Sequence, residues 1–142
     1  MLVLDTDHLS ILQREAAGAV KLATRLRAAN QPVMTTIITF EEVIRGWMAE
    51  INRAKSLMDQ VGYYARLSQL LIYFASWDVL PFDTIAATRF QELRRLQLRN
   101  IGTQDLKIAA ITLRHNATLL SANLRHFRLV PGLQVEDWIY SV

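Results

Sequence analysis

The sequence predicts an α/β protein in which a central, mostly parallel sheet lies between two layers of helices. Three observations carry that expectation. Short strand-forming runs alternate with longer helix-periodic stretches along all 142 residues, the order that generates parallel crossovers. The first run, Leu2-Val3-Leu4, is wholly apolar and stops at an acid, Asp5. A carboxylate at the carboxyl end of a buried strand lies where open α/β sheets bind ligands, and leaving it unpartnered would cost several kcal/mol, roughly.

Taken in order, Asp7-His8-Leu9-Ser10-Ile11-Leu12 follows as the cap and first turns of a helix, with Asp7 as N-cap. Gly18 to Arg27 is amphipathic, with Val20, Ala23 and Leu26 inward and a basic outer face, ending at Asn30-Gln31-Pro32. Val33 to Thr36 is a short strand, after which Thr39 caps a helix with Phe40, Val43, Ile44, Trp47, Met48 and Ile51 at three- and four-residue steps, running to about Lys55. Leu57 to Trp77 is a second long helix. Asp78 to Phe82 is a strand whose Pro81 suits a sheet edge or strand end. Asp83-Thr84 opens a helix with Ala86, Ala87, Phe90, Leu93 and Leu96 inward and Arg89, Arg94, Arg95 and Arg99 outward. Asn100 to Thr103 breaks it before a helix from Gln104 to His115. Ala117 to Ser121 is a strand, Asn123 to Phe127 a helical turn, and Leu133 to Trp138 the last strand after Pro131-Gly132.

A chain of this length suits one domain, 1–142, burying roughly two thirds of its unfolded surface. Cysteine is absent, which removes disulfides, thiolate metal sites and cysteine nucleophiles together and suits a reducing, cytoplasmic compartment. Thirteen of the sixteen cationic residues are arginine, which favours a phosphate-bearing or acidic partner. No signal peptide is expected, and Leu70 to Ala75, the longest apolar run, is far too short to cross a membrane. The three histidines, His8, His115 and His126, lack zinc-site spacing, and neither a nucleophile elbow nor a glycine-rich phosphate loop is present.

Four acids remain as candidates for chemistry. Asp105 falls in the first turn of its helix, on the face of Ile108 and Ala109, where backbone N–H groups favour a carboxylate. It would also suit simple satisfaction of those donors. Glu42 precedes Gly46 by one turn, and a glycine inside a helix costs roughly 1 kcal/mol against alanine. Its absent side chain leaves room beside the carboxylate for an ion or phosphate. Glu41 reads as solvated surface, and both glutamates suit ordinary first-turn acids. Asp7 is a cap or a contact near the site, while Glu136 and Asp137 read as a solvated strand edge.

Leu4-Asp5-Thr6-Asp7, Glu42-Val43-Ile44-Arg45-Gly46, Ile101 to Ala110, Leu120 to Phe127 and Val130 to Leu133, in this order across essentially the whole chain, resemble the PIN-domain proteins of the VapC toxin type. The resemblance implies a three-layer α/β/α PIN-like fold and an endoribonuclease leaving a 5′-phosphate and a 3′-hydroxyl. It places Asp5, Glu42 and Asp105 in an acidic metal site taking Mg²⁺, with Mn²⁺ as substitute, in keeping with the preference of hard oxygen ligands. Asn123 maps onto an Asn-x-x-Asp-Phe segment whose acid is replaced here by His126. Thr6, Thr103 and Asn123 are then candidates for orienting the carboxylates or touching substrate, and Arg45 for reaching a bound RNA strand. A cognate antitoxin is implied as partner. The aromatic-rich central helices, with Trp47, Tyr63, Tyr64, Tyr73, Phe74 and Trp77, predict a homodimer or antitoxin interface. Two rivals compete with the nuclease: a non-catalytic RNA- or protein-binding domain of the same fold, for which His126 argues, and a phosphatase of haloacid-dehalogenase type, suggested by Asp5-x-Asp7.

Overall fold

The computed structural model describes residues 1–140, so the last two residues of the expected domain lie outside the described residues. Five strands, β1 (Leu2–Leu4), β2 (Val33–Thr36), β3 (Val79–Leu80), β4 (Thr118–Leu120) and β5 (Gln134–Glu136), form one sheet in the order β3-β2-β1-β4-β5. Every pairing is parallel, with Leu2 opposite both Val33 and Thr118. β3 is an edge, as Pro81 just beyond it requires. The helices are α1 (Thr6–Arg14), α2 (Ala19–Ala29), α3 (Ile37–Arg53), α4 (Leu57–Ala75), α5 (Thr84–Arg95), α6 (Thr103–Arg114) and α7 (Leu124–Phe127).

Alternation along β1 divides the interior in two. Leu2 and Leu4 point into a core with Leu9, Leu22, Leu26, Leu70 and Phe74, from α1, α2 and α4. Val3 points the other way, toward Phe90, Leu93, Ile108, Ile111 and Phe127 of α5, α6 and α7. The central strand β1 is thus covered on both faces, which is why Leu2-Val3-Leu4 reads as a short unbroken apolar run. The chain winds from β1 to β2 and β3 on one side, then returns past β1 to β4. The carboxyl ends of β1 and β4 therefore flank the point where the strand order reverses, the crevice that open α/β sheets use for ligands.

Several local expectations are corrected. Asp7 is not the N-cap of α1: the helix starts two residues sooner, and extended Asp5 takes that place, its side chain accepting from the Thr6 N–H. Thr39 is likewise replaced by Thr36, the last residue of β2, whose hydroxyl accepts from the Thr39 N–H because strand passes directly into helix. Val20 is 81% exposed, since α2 buries Leu22 and Leu26, and two positions from Leu22 is about 200° around a helix. Met48 and Leu96 are also exposed. Asp137, expected at a solvated edge, is buried, and its Oδ1 accepts the N–H groups of Ile139 and Tyr140 in the turn after β5. The predicted aromatic surface is largely consumed inside the fold: Phe40 meets Phe74 edge to face with centroids 5.0 Å apart, and Trp47 lies 6.2 Å from Tyr63.

Candidate functional site

β1 delivers Asp5 to the crevice as a residue only 6% exposed. Both oxygens are engaged: Oδ1 accepts the Thr6 N–H at 2.7 Å, and Oδ2 accepts the Ser121 hydroxyl, also at 2.7 Å. Burial, helped by the charge of Asp7, pushes its pKa up to about 7 against the pull of those two hydrogen bonds. Asp105 adds a smaller repulsion in the same direction.

Glu42 approaches from α3. The Thr6 hydroxyl donates to its Oε2 at 2.7 Å and lies 3.3 Å from the hydroxyl of fully buried Thr39, so the residue after Asp5 holds Glu42 with its side chain and Asp5 with its backbone. Burial raises the Glu42 pKa, opposed by Thr6 and reinforced by Asp105 and Glu41. Asp105, in the first turn of α6, accepts from Asn123 Nδ2 at 3.2 Å. Burial raises its pKa too, while His126 acts as the main opposing influence. The sequence-predicted acids thus share one electrostatic field. Among the described residues, however, no three acidic or imidazole side chains stand close enough to ligate one ion together.

The remaining predicted residues divide. Asn123 touches Asp105, and Thr6 bridges two acids. Thr103 is exposed at the start of α6. Arg45 does not turn toward Glu42; it pairs with Glu41 at 2.6 Å, and Glu41 in turn accepts from Gln104 Nε2 at 2.6 Å. Glu41 is therefore no free surface acid but a tie between the start of α6 and α3. Sequence reasoning gave no site role to Gln104 or Ser121 and took Thr39 only for a helix cap. Ser121 carried a usable signal, as a polar residue ending an apolar strand beside β1.

Gly46 opens rather than crowds its surroundings, since a Cβ there would meet nothing within 4 Å. It lines a groove of about 610 Å³ beside Glu42, between α1, α3 and α4, with Arg14, Trp47, Arg66 and Leu70. Gly46→Ala is expected to stabilise α3 by about 1 kcal/mol, a rise of roughly 3 °C in melting temperature, which differential scanning fluorimetry would register.

A doubly wound sheet with carboxylates just after β1, near the start of α3 and in the first turn of α6, all at its strand-order reversal, defines a class, the open α/β domains that bind ligands in that crevice. Its particular member is identified along the chain: the PIN domain family model matches residues 2–133, and the protein belongs to that family. It is similar to Ribonuclease VapC1 of Haemophilus influenzae (strain R2866), 25% identical over 142 residues and covering 96% of each chain. It is also similar to the tRNA(fMet)-specific endonuclease VapC of Salmonella typhimurium, 29% identical over 104 residues covering 71% of each. Among solved structures, that of VapBC-1 from nontypeable Haemophilus influenzae shares the fold with a TM-score of 0.74, covering 96% of this chain and 97% of the other at 22% identity.

Proposed function

We propose that the protein is a metal-dependent endoribonuclease and the toxin of a toxin–antitoxin pair, with Asp5, Glu42 and Asp105 as its working acids. The observation that carries this reading is the gathering of Asp5, Glu42 and Asp105 at the strand-order reversal, three carboxylates whose pKa values are raised first by burial and then by acidic neighbours, a cost that a bound cation would relieve. The donor set fits Mg²⁺ or Mn²⁺, because magnesium takes one or two protein carboxylates and fills its remaining positions with water and substrate phosphate, so a closed cage of three acids is not needed. When bound, the ion supplies charge neutralisation at the phosphoryl oxygens and a more acidic attacking water. Thr6 and Ser121 hold Asp5, Thr6 holds Glu42, and Asn123 holds Asp105, so each carboxylate is aimed by a neighbour.

RNA would be held by arginines at the same end of the fold. Arg94 and Arg95 close α5, Arg99 lies in the segment leading to Asp105, and Arg125 follows Asn123 on α7; all four are exposed. Purified protein incubated with a mixed cellular RNA pool is expected to cleave with Mg²⁺ or Mn²⁺ and not with EDTA. RNA binding without cleavage under any divalent ion would instead support the non-catalytic reading, which the imidazole of His126 beside Asp105 favours.

The relatives' structures bring in partners. Solved complexes named VapBC suggest a cognate antitoxin for this chain too, and the groove beside Glu42 offers a polypeptide both apolar floor, in Trp47 and Leu70, and charge, in Arg14 and Arg66. A second copy of the chain suits α4, where Leu57, Met58, Val61, Leu71 and Ile72 stand 57–78% exposed along one side. Sedimentation is expected to show a dimer at micromolar concentration and a monomer for Ile72→Glu. A monomeric wild type would rule out the homodimer.

A further inference from the structure

Behind the acids lies a chain of hydrogen bonds that ends on a residue with no assigned role. His8 is fully buried. The Trp138 N–H donates to its Nε2 at 3.2 Å, so that nitrogen presents its lone pair and the ring proton resides on Nδ1. Nδ1 meets Asp7 Oδ1 at 2.7 Å, where the His8 backbone N–H also donates at 2.6 Å. Asp137 Oδ1 is 3.6 Å from Nε2 but accepts the N–H groups of Ile139 and Tyr140. The other oxygen of Asp7 accepts the Ala122 N–H at 2.9 Å and lies 3.4 Å from the Ser121 hydroxyl. Ser121 donates to Asp5, and Asn123, next after Ala122, holds Asp105.

We infer that His8 is a positioning residue for the acidic site: its Nδ1–H fixes Asp7, and Asp7 clamps the Ser121-Ala122-Asn123 turn that aims Asp5 and Asp105. This rests on the proposed metal site and says what sets its geometry. Two carboxylates on different elements keep one spacing only if the elements are tied. The start of α1 is tied to the end of β4 at Asp5, through the Ser121 hydroxyl, and again at Asp7, whose side chain is about a third exposed and would swing without the imidazole behind it. The seat of the imidazole is supplied by the turn after β5, where Arg25 Nη1 donates to the Trp138 carbonyl at 3.1 Å and the guanidinium covers the indole at 4.6 Å.

The two ring nitrogens make separable demands, which gives the test. Asparagine places an N–H near the position of Nδ1 but cannot reach Trp138; glutamine reaches Trp138 but offers Asp7 nothing. Mn²⁺ binding would be followed by electron paramagnetic resonance on the full chain, alongside melting temperatures and RNA cleavage. His8→Gln is expected to weaken Mn²⁺ binding about tenfold or more, as loss of an orienting partner does, while His8→Asn stays within about threefold of wild type whatever its melting temperature. Ser121→Ala is expected to weaken binding similarly, and to add nothing on top of His8→Gln, because both cut one series of contacts. The inference is overturned if glutamine restores binding and asparagine does not, if affinity follows melting temperature across the variants, or if the two substitutions add. Should His8→Gln fail to fold, His8→Asn decides: Mn²⁺ affinity within about threefold of wild type supports the inference, and a loss of about tenfold or more with an unshifted melting temperature overturns it. Absence of Mn²⁺ binding and cleavage in the wild type would instead remove the nuclease reading itself.

Discussion

Asp5→Asn is expected to abolish RNA cleavage and, in the absence of metal, to raise the melting temperature. In the proposed metal site, losing the Asp5 carboxylate would remove several kcal/mol of transition-state stabilisation, on the order of 10³-fold in rate. Stability moves the opposite way. The pKa of Asp5 is lifted from its ordinary 3.8 to about 7 in the folded protein. Between those values the native state binds a proton that the unfolded chain does not, so stability falls as pH rises through the window and the penalty is complete above it. A displacement of that size corresponds to at most about 4 kcal/mol. Asparagine escapes the charge, keeps an oxygen for the Thr6 N–H, and can donate to a Ser121 hydroxyl turned to accept, besides being a good N-cap. A gain of about 2 kcal/mol at pH 8, or roughly 4–8 °C, is expected, shrinking to nothing near pH 4. Thermal melts of both proteins with EDTA across this range measure it, and a variant less stable than wild type at pH 8 would contradict the raised pKa.

Divalent-ion affinity is expected to fall about tenfold between pH 8 and pH 6. A carboxyl group must be ionised to bind the ion, and an acid titrating at about 7 is mostly charged at pH 8 and mostly protonated at pH 6. Ion and proton then compete for Asp5. Calorimetric titration with Mn²⁺ at pH 6, 7 and 8 gives the dependence directly. An affinity unchanged over this range, for a protein that does bind Mn²⁺, would place the ion away from Asp5. The same competition predicts that saturating Mn²⁺ restores at pH 8 the stability that Asp5 removes there.

Much of the frame was legible along the chain because local rules decide it. Leu2-Val3-Leu4 is apolar on both sides and followed by a helix, and short strand-forming runs at Val33 and at Thr118, each also leading into a helix, produced the strands beside it in a parallel sheet. Asp83 was readable as the start of α5, and the structure shows its Oδ1 accepting the Ala86 N–H at 2.8 Å. Two helix starts lie three residues or fewer before the expected ones. Asp7 and Thr39 carry the right chemistry for caps, but both helices begin earlier, at the strand ends, where Asp5 accepts the Thr6 N–H and Thr36 accepts the Thr39 N–H. Val20 was misjudged because an isolated helix does not reveal which of its sides a sheet will cover.

The chemistry of the site divides along the same line. Composition and order along the chain were enough to settle a parallel α/β/α fold and an absence of thiolate chemistry, and to single out acids at the carboxyl end of β1, near the start of α3 and at the start of α6, since these depend on residue type and periodicity. Only folding could decide that Thr6 would bind Glu42, 36 positions away, that Ser121 would hold Asp5 across 116, or that His8 would lean on the Trp138 N–H across 130. Contacts of that span have no periodicity to announce them. They arise when the parallel order β2-β1-β4-β5 brings distant strand ends together, and the burial that follows raises the pKa of Asp5 into the neutral range.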